Sequence, residues 1–471
     1  MSNCILRPLC CLLLVAGASA QVDRYELGLR LRAFERHIDA VTSVELRVAA
    51  FADLNRAVQA FFRLDTSAVA TAIDAADAAL GAEPLSVDQR HVQSLQLALA
   101  QRLLTVGEGE VAADLSQAYR IDDEEQSFEG CSLVLRAPGW AQPLIIPISE
   151  LPQSIALPLK DVPAGDHLLQ WQVVKSDEVL TSREQGLSVA ADLDARLARL
   201  GAAVKQAEAL EPATIESKTL PALVGMLQGM QRRRPAETIL PGWQILAEAE
   251  ALADYLAKPS ELPFYGAHRP GSFRLRIPVA GSTMAVRLFV PKVSAPAPLV
   301  MALHGMGGSE NLFFDGYGDG RVVVLGAKRD WLVVAPRLTF GNLDCAALVD
   351  AVAARFPVDR QRVAVVGHSM GAMQAVANAI RNPDRYRAVA ALGGGGRVRR
   401  TAGLAQLPFF VGVGTKDFAL AQANALHRAL LAADAPSRLH EYADVEHLAI
   451  VQVALADVFR FFDEALAAAD K

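Results

Sequence analysis

Cysteine is scarce in this chain. Only five of the 471 residues are cysteines, and Cys4, Cys10 and Cys11 all fall in the first 20 residues. The other two, Cys131 and Cys345, are far apart in sequence and do not make a disulfide framework. The fold must therefore depend on burial of apolar side chains. Whether Cys131 and Cys345 pair is left open, although nothing local favours a bridge.

The motifs that usually hold cofactors and metals are missing. The chain has no P-loop, no G-x-G-x-x-G after a strand, no H-E-x-x-H and no paired C-x-x-C. We therefore expect chemistry that needs neither a cofactor nor a metal. The formal net charge of −6 is modest and spread along the chain, which offers nucleic acid no basic surface. The sequence does not indicate an oligomeric state.

Long apolar runs are confined to the start of the chain. Residues 1–20 combine the basic Arg7, an apolar stretch over 9–16 and small residues ending at Ala20. This pattern predicts a secretory signal peptide cleaved after Ala20, and hence a secreted or periplasmic protein. An uncleaved anchor is the alternative, but the run is too short to span a bilayer. We expect no membrane span elsewhere.

Against these absences, residues 367–371 read Gly-His-Ser-Met-Gly, the G-x-S-x-G pattern of a nucleophile elbow. Residues 362–366 before it are β-branched and apolar, which predicts a buried strand, and residues 372–380 after it favour a helix. The glycines suit a turn too sharp for neighbouring side chains. We expect Ser369 to be the nucleophile, whereas the pattern alone would also fit an ordinary strand–helix turn.

A second glycine-rich turn lies upstream. Residues 298–303 predict another buried strand, which ends in His304-Gly305-Met306-Gly307-Gly308. Such a strand exit can direct a backbone N–H at a substrate oxygen. We assign the oxyanion hole to the backbone N–H groups of Met306 and Met370, and a structural role to His304. The alternative for this loop is a plain flexible turn.

The acid and the base should follow the serine, each after a strand. Asp417 follows the strand candidate at residues 408–414, and His447 follows the one at residues 437–442. Other candidates fit less well, because His427 falls in a predicted helix and His440 inside a predicted strand. Neither Asp434 nor Asp444 occupies the usual strand exit of the acid. The predicted catalytic residues are therefore Ser369, Asp417 and His447.

With these motifs in place, residues 262–471 resemble an α/β-hydrolase, with a doubly wound and mostly parallel sheet. The glycine-rich loop and the elbow are similar to those of secreted bacterial esterases of the feruloyl-esterase-like and polyhydroxybutyrate-depolymerase-like groups. They also resemble those of prolyl-oligopeptidase-like hydrolases. Many relatives carry a second glycine where this chain has Ala372, which keeps the residue small.

The predicted fold class is α/β. The spacing of apolar residues divides the part of the chain before residue 262 into three further regions. We predict a helical region over 21–126, a small β-sandwich-like domain over 127–190, and helices with a linker over 191–261. Residues 273–279 and 284–290 predict a hairpin that opens the hydrolase sheet at residues 262–471.

The predicted function is a secreted serine hydrolase that cleaves a small-molecule or polymer-linked carboxylic ester. A prolyl-oligopeptidase-like peptidase is the runner-up, and a non-catalytic hydrolase-like binding module comes third. Phe313, Phe314 and Tyr317 are the candidate substrate-binding residues, although they could equally pack the loop against the next helix. The N-terminal half gates or positions substrate or binds a partner, or else it serves only as a scaffold, and the sequence supports both interpretations.

Overall fold

The computed structural model describes residues 22–121, 127–232, 236–339, 341 and 343–467. The predicted signal peptide at residues 1–20 lies outside them and stays a prediction. The N-terminal elements are α1 (Arg24–Ala40), α2 (Val44–Phe62), α3 (Thr66–Ala78), α4 (Val87–Gln93), β1 (Leu95–Leu99), β2 (Leu103–Thr105), β3 (Val111–Gln117), β4 (Cys131–Arg136), β5 (Leu144–Pro147), β6 (Gln153–Leu157), β7 (Gly165–Lys175), β8 (Glu178–Ala190), α5 (Leu193–Glu208), α6 (Ile215–Gln231) and α7 (Gly242–Ala257).

The C-terminal elements build the largest sheet. They are β9 (Gly271–Val279), β10 (Ser282–Val290), β11 (Ala297–Leu303), α8 (Leu312–Asp315), α9 (Tyr317–Ala327), β12 (Leu332–Pro336), α10 (Cys345–Ala353), β13 (Val358–His368), α11 (Met370–Arg381), β14 (Ala388–Leu392), β15 (Phe409–Gly414), α12 (Leu420–Ala432), β16 (Ser437–Tyr442) and α13 (Ala449–Ala467).

This eight-stranded sheet has the order β16-β15-β14-β13-β11-β12-β10-β9. Strands β9 and β10 form an antiparallel hairpin where the sequence predicts one, and β10 also pairs antiparallel with β12. The other neighbours pair in parallel. Every residue of β11 and β12 is buried, as expected for strands covered by helices on both faces. The predicted α/β-hydrolase fold is confirmed.

The first half of the chain departs from the predicted pattern. The helices end at Gln93, and β1, β2 and β3 fall within the 21–126 region predicted as helical, so that prediction is wrong beyond α4. The burial in β1 alternates, with Leu95, Leu97 and Leu99 buried. The spacing of apolar residues therefore changes from that of a helix to that of a strand at Leu95. These strands are shorter than the stretch of residues over which helical periodicity is judged, so the sequence pattern did not reveal them.

Two small sheets form the sandwich. One has the order β1-β3-β6 and the other β2-β8-β7-β4-β5. Their inner faces share one apolar core, which includes Leu97, Leu115, Leu133 and Trp171. The strands of the sandwich therefore begin at Leu95, well before the predicted start at residue 127, and end at Ala190 as predicted. Helices α5, α6 and α7 follow in the segment predicted as helical.

The N-terminal helices join the apolar core on one face of the large sheet. Phe34, Leu54 and Ile73 of α1, α2 and α3 belong to the same core as Ile450 and Phe459 of α13. On the opposite face, the side chains of α5, α6 and α7 share a core with β9, β10 and α11. Both layers that cover the sheet are thus completed by helices from the first half of the chain.

Cys131 and Cys345 are both free and buried, in the sandwich core and in the core of the large sheet respectively. Over the described ranges, none of the helices combines the length and the apolar character needed to cross a membrane.

Candidate active site

The elbow lies between β13 and α11. Ser369 has φ 55° and ψ −115°, a sparsely populated conformation for a residue with a side chain. A Cβ on Gly367 would collide with the backbone of Gly371, and one on Gly371 would collide with the backbone of Leu303. The two glycines are therefore required by close backbone approach. They hold the hydroxyl of Ser369 at the N-terminus of α11, where unpaired N–H groups favour negative charge.

Asp417 and His447 lie at the exits of β15 and β16. His447 Nδ1 is 2.8 Å from Asp417 Oδ1, and the same oxygen accepts the Ala419 N–H at 2.7 Å. Both side chains are buried. Because Nδ1 donates to a carboxylate, Nε2 of the neutral ring is left as an acceptor. His447 and Ser369 line the same cavity.

The competing acids and histidines are engaged elsewhere. His427 Nδ1 lies 2.9 Å from Ser437 Oγ, and the His440 ring stacks on Tyr442 at the surface. Asp444 is exposed and lies 3.7 Å from Lys416. Of these residues, none lines the cavity that Ser369 and His447 share.

The glycine-rich loop contacts the elbow. A Cβ built on Gly305 would lie 3.4 Å from Ser369 Cβ, so the loop passes beside the serine. Gly308 N–H donates to Gly305 O at 3.2 Å and closes a turn around Met306. Met370 is the first residue of α11, and its N–H therefore has no acceptor within the helix. The assignment of these two N–H groups to the oxyanion hole remains a prediction.

His304 holds this loop from beneath. Its Nε2 accepts the Leu338 N–H at 2.8 Å, so Nδ1 carries the proton and donates to Gly305 O at 2.7 Å. Burial lowers the pKa of His304, which keeps the ring neutral. These contacts agree with the structural role expected from the sequence.

A hydrogen-bonded chain that the sequence did not predict joins the loop, the elbow and the base. Gly305 N–H donates to the Tyr317 hydroxyl at 3.5 Å, and that hydroxyl lies 2.5 Å from His368 Nδ1. His368 Nε2 donates to the backbone oxygen of His447 at 2.8 Å. Burial holds the pKa of His368 well below its usual value, so the neutral ring serves as a positioning group. The one sequence signal for His368 is its position between Gly367 and Ser369 in the G-x-S-x-G pattern.

A buried carboxyl adjoins the base. The side chain of Glu446 accepts the Leu448 N–H at 2.8 Å and the Ala449 N–H at 2.5 Å, and so caps α13. Burial raises the pKa of Glu446 to about 7, and the nearby Asp417 adds to the rise while the backbone N–H groups oppose it. This cap fixes the residue that follows it, His447.

The cavity above Ser369 has a volume of about 200 Å³. Tyr317 lines it, but Phe313 and Phe314 do not. Phe313 is fully buried against the Tyr317 ring, and the Phe314 ring lies under the Arg287 guanidinium at 4.7 Å. Their assignment to substrate binding is therefore wrong. Helix α8 turns its first residue, Leu312, to the cavity and both phenylalanines to the core.

Aromatic residues from elsewhere surround the cavity mouth instead. The Phe61 and Phe62 rings at the end of α2 are 5.9 Å apart, and Phe62 meets Phe418 edge-on at 6.0 Å. The Phe418 ring lies 4.2 Å from that of His447. These three rings and Met306 are all at least 36% exposed, which makes an apolar rim. No local sequence signal pairs the end of α2 with the active site.

The comparisons with known proteins concern the C-terminal half. Residues 345–443 match the model of the family described as "Putative esterase". A segment of 44 residues is 48% identical to an S-formylglutathione hydrolase of Rattus norvegicus, covering 9% of this chain and 16% of that protein. The match thus spans about a sixth of that relative's length.

Solved structures with a similar fold include a ferulic acid esterase, at 19% identity and a TM-score of 0.37 over 42% of this chain and 98% of that one. Another is an S-formylglutathione hydrolase from Agrobacterium tumefaciens, at 18% identity and a TM-score of 0.33 over 41% of this chain and 94% of that one. The strand order and the elbow of this chain are those of the α/β-hydrolase fold, and residues 345–443 are similar to an esterase family.

Proposed function

We propose that this protein is a serine hydrolase of carboxylic esters that acts through Ser369, His447 and Asp417. The observation that carries the proposal is the buried His447–Asp417 pair, which shares one cavity with a serine held on a strained turn. The match of residues 345–443 to an esterase family supports ester chemistry in particular.

The mechanism follows from the proton positions. Ser369 Oγ attacks the ester carbonyl while Nε2 of His447 accepts its proton, and Asp417 stabilises the imidazolium that results. The N–H groups of Met306 and Met370 hold the oxyanion, each contributing roughly 3 kcal/mol to transition-state stabilisation. His447 then protonates the leaving alcohol. Water activated by the same histidine finally hydrolyses the acyl-enzyme.

The proposal extends to location. Residues 1–20 carry the features of a secretory signal, and we expect the mature chain to begin at Gln21 in the periplasm or outside the cell. Sequencing the N-terminus of the protein recovered from those compartments tests this part.

The central test is Ser369→Ala. A fluorophosphonate probe should label the wild type at Ser369 and leave the variant unlabelled, and hydrolysis of p-nitrophenyl esters should fall by several orders of magnitude. The variant should unfold at the wild-type temperature, because one exposed oxygen is removed.

Wild-type turnover in the Ser369→Ala variant, or labelling at another serine, would overturn the proposal. Prolyl and aminoacyl amides belong in the same assay. If kcat/KM for one of these amides exceeds kcat/KM for every ester, the protein is a peptidase and not an esterase.

A further inference from the structure

Three helices from the start of the chain wall the cavity above Ser369. The apolar side chains that α1, α2 and α3 contribute are those of Leu27, Leu31, Leu54, Ala57, Val58, Phe61, Phe62, Val69 and Ile73. Leu54 and Ile73 are nearly fully buried, whereas Phe61 and Phe62 are part of the exposed rim. Apart from Gly28 and the two arginines Arg24 and Arg32, the side chains that these helices place in the cavity wall are thus apolar.

The charged side chains in the lining are already engaged by the protein. Arg24 Nη2 donates to Gly307 O at 2.5 Å, and Arg32 Nη2 donates to Asp319 Oδ1 at 3.2 Å. Glu237 accepts from the Ser309 hydroxyl and, at 3.2 Å, from the Asn311 amide. These contacts tie α1 to the glycine-rich loop and to α9, and the segment around Glu237 to the residues that follow the loop. The apolar side chains of the lining are therefore the groups that are available to contact a ligand.

The position of α2 indicates which half of an ester the cavity receives. The Phe61 ring lies against Gly307, where an added Cβ would collide with it. An ester held with its carbonyl oxygen toward this loop starts its acyl chain beside the Phe61 ring. The leaving alcohol must instead lie on the side of His447, which protonates it. The side chains around Phe61 therefore lie on the acyl side, whereas Phe62, which meets Phe418 beside His447, lies toward the leaving alcohol.

We propose that α1, α2 and α3 form an acyl-binding pocket that selects uncharged, apolar acyl groups larger than acetyl. The inference rests on the proposed ester hydrolysis and names its substrate class. An apolar pocket of this kind gains affinity with each methylene that it removes from water. In wild-type protein, kcat/KM should rise about fourfold per added methylene until the cavity is full, and then fall.

The test uses Ala57→Leu, which adds three carbons at a position that lines the cavity. Ala52→Leu on the same helix is the matched control, because Ala52 is exposed and does not line the cavity. Both variants and the wild type are assayed with p-nitrophenyl esters from acetate to dodecanoate. Ala57→Leu should lower kcat/KM for octanoate at least tenfold more than for acetate, and Ala52→Leu should keep the wild-type profile.

A second variant guards against misfolding. Phe61→Ala opens the rim, and it should move the preferred acyl length upward or flatten the profile. Each variant is also checked for fluorophosphonate labelling of Ser369 and for its unfolding temperature. Loss of labelling with a lowered unfolding temperature identifies a folding defect, in which case the Phe61→Ala profile decides.

Two kinds of result would overturn the proposal of an acyl-binding pocket while leaving the proposed ester hydrolysis intact. One is a wild-type kcat/KM that does not change with acyl length, or an Ala57→Leu variant that loses acetate and octanoate equally. The other is a series of acetate esters in which the alcohol chain, rather than the acyl chain, sets the preference and responds to Ala57→Leu. Absence of both labelling and turnover in the wild type would instead overturn the proposed function itself.

Discussion

At the scale of single residues, the roles in the site are set by which atoms hold protons. Asp417 accepts from His447 Nδ1 and from the Ala419 N–H with one oxygen, while no hydrogen-bond partner within the described ranges reaches Oδ2. A buried carboxylate with one such contact orients the ring and favours the tautomer with the proton on Nδ1. Burial lowers the pKa of His368 and of His304 and so keeps both rings neutral, while their hydrogen bonds orient them.

Asp417→Asn should therefore lower kcat by about 10³–10⁴ while the protein stays folded. An asparagine amide that donates to Nδ1 leaves the proton on Nε2, where the ring can no longer take the serine proton. Steady-state kinetics with a p-nitrophenyl ester measures the effect, and the unfolding temperature checks the fold. The control is Asp444→Asn at the exposed neighbouring acid, which should be mild. The acid assignment would be wrong if the two results were reversed.

At the scale of elements, α1 is joined to the turn that opens α9. The Glu35 carboxyl of α1 lies beside the N–H groups of Gly318 and Asp319, which have left-handed backbone angles with φ 74° and 54°. Arg32 and Arg36 donate to the Asp319 carboxylate at 3.2 Å each. The same turn begins at Tyr317, whose hydroxyl positions His368. Helix α1 is therefore connected to the active site through one short turn.

The burial of Glu35 at this turn should make the free energy of unfolding depend on pH. Burial raises the pKa of Glu35 from 4.5 to about 8, against the opposing effect of the two N–H groups and Arg32, and Asp319 adds to the rise. Because the folded-state pKa is the higher one, the contribution to stability is complete below about pH 4.5. It is lost as the pH rises through about 8.

Denaturant unfolding between pH 5 and 9 should accordingly show a component that falls with pH, by up to about 1.4 kcal/mol per pH unit. Glu35→Gln should remove this component, because the amide keeps an acceptor and does not ionise. Glu45→Gln, on the exposed start of α2, is the control and should retain the dependence. An unchanged slope in Glu35→Gln would assign the pH dependence to other groups.

At the scale of the whole molecule, the first half of the chain completes the hydrolase core and also walls its cavity. Phe34, Leu54 and Ile73 pack in the same cluster as Phe313 and Ile450. Positioning of substrate and scaffolding are two of the roles that the sequence left open for this half. Helices α1, α2 and α3 are placed to perform both. Apolar burial of this kind supplies most of the stability of a domain.

A fragment of residues 259–471 should for this reason be insoluble, or should unfold at a much lower temperature than the intact chain. It would expose the apolar surface that α1–α3 and α5–α7 cover in the two cores on either side of the sheet. Size-exclusion chromatography and circular dichroism of the two proteins provide the comparison. A soluble, cooperatively folded fragment that still hydrolyses p-nitrophenyl acetate would show that the N-terminal helices are not needed for the core.

Local patterns determined the C-terminal half. The elbow, the strand exits at Asp417 and His447, and the hairpin of β9 and β10 could all be predicted, because each depends on periodicity or turn chemistry within about ten residues. Packing decided the rest. Phe313 and Phe314 are as apolar as a pocket residue must be, and only the orientation of α8 sends them into the core.

The cavity itself depends on contacts that no local pattern records. Arg24 meets Gly307 across 283 positions of the chain, and Gln452 of α13 donates to the backbone of Glu35 across 417. The sequence by itself predicted the proposed nucleophile and the order of the proposed catalytic residues, because each is marked by its neighbours in the chain. Only the tertiary structure decided what lies over Ser369, because burial of apolar faces can bring together segments at any separation.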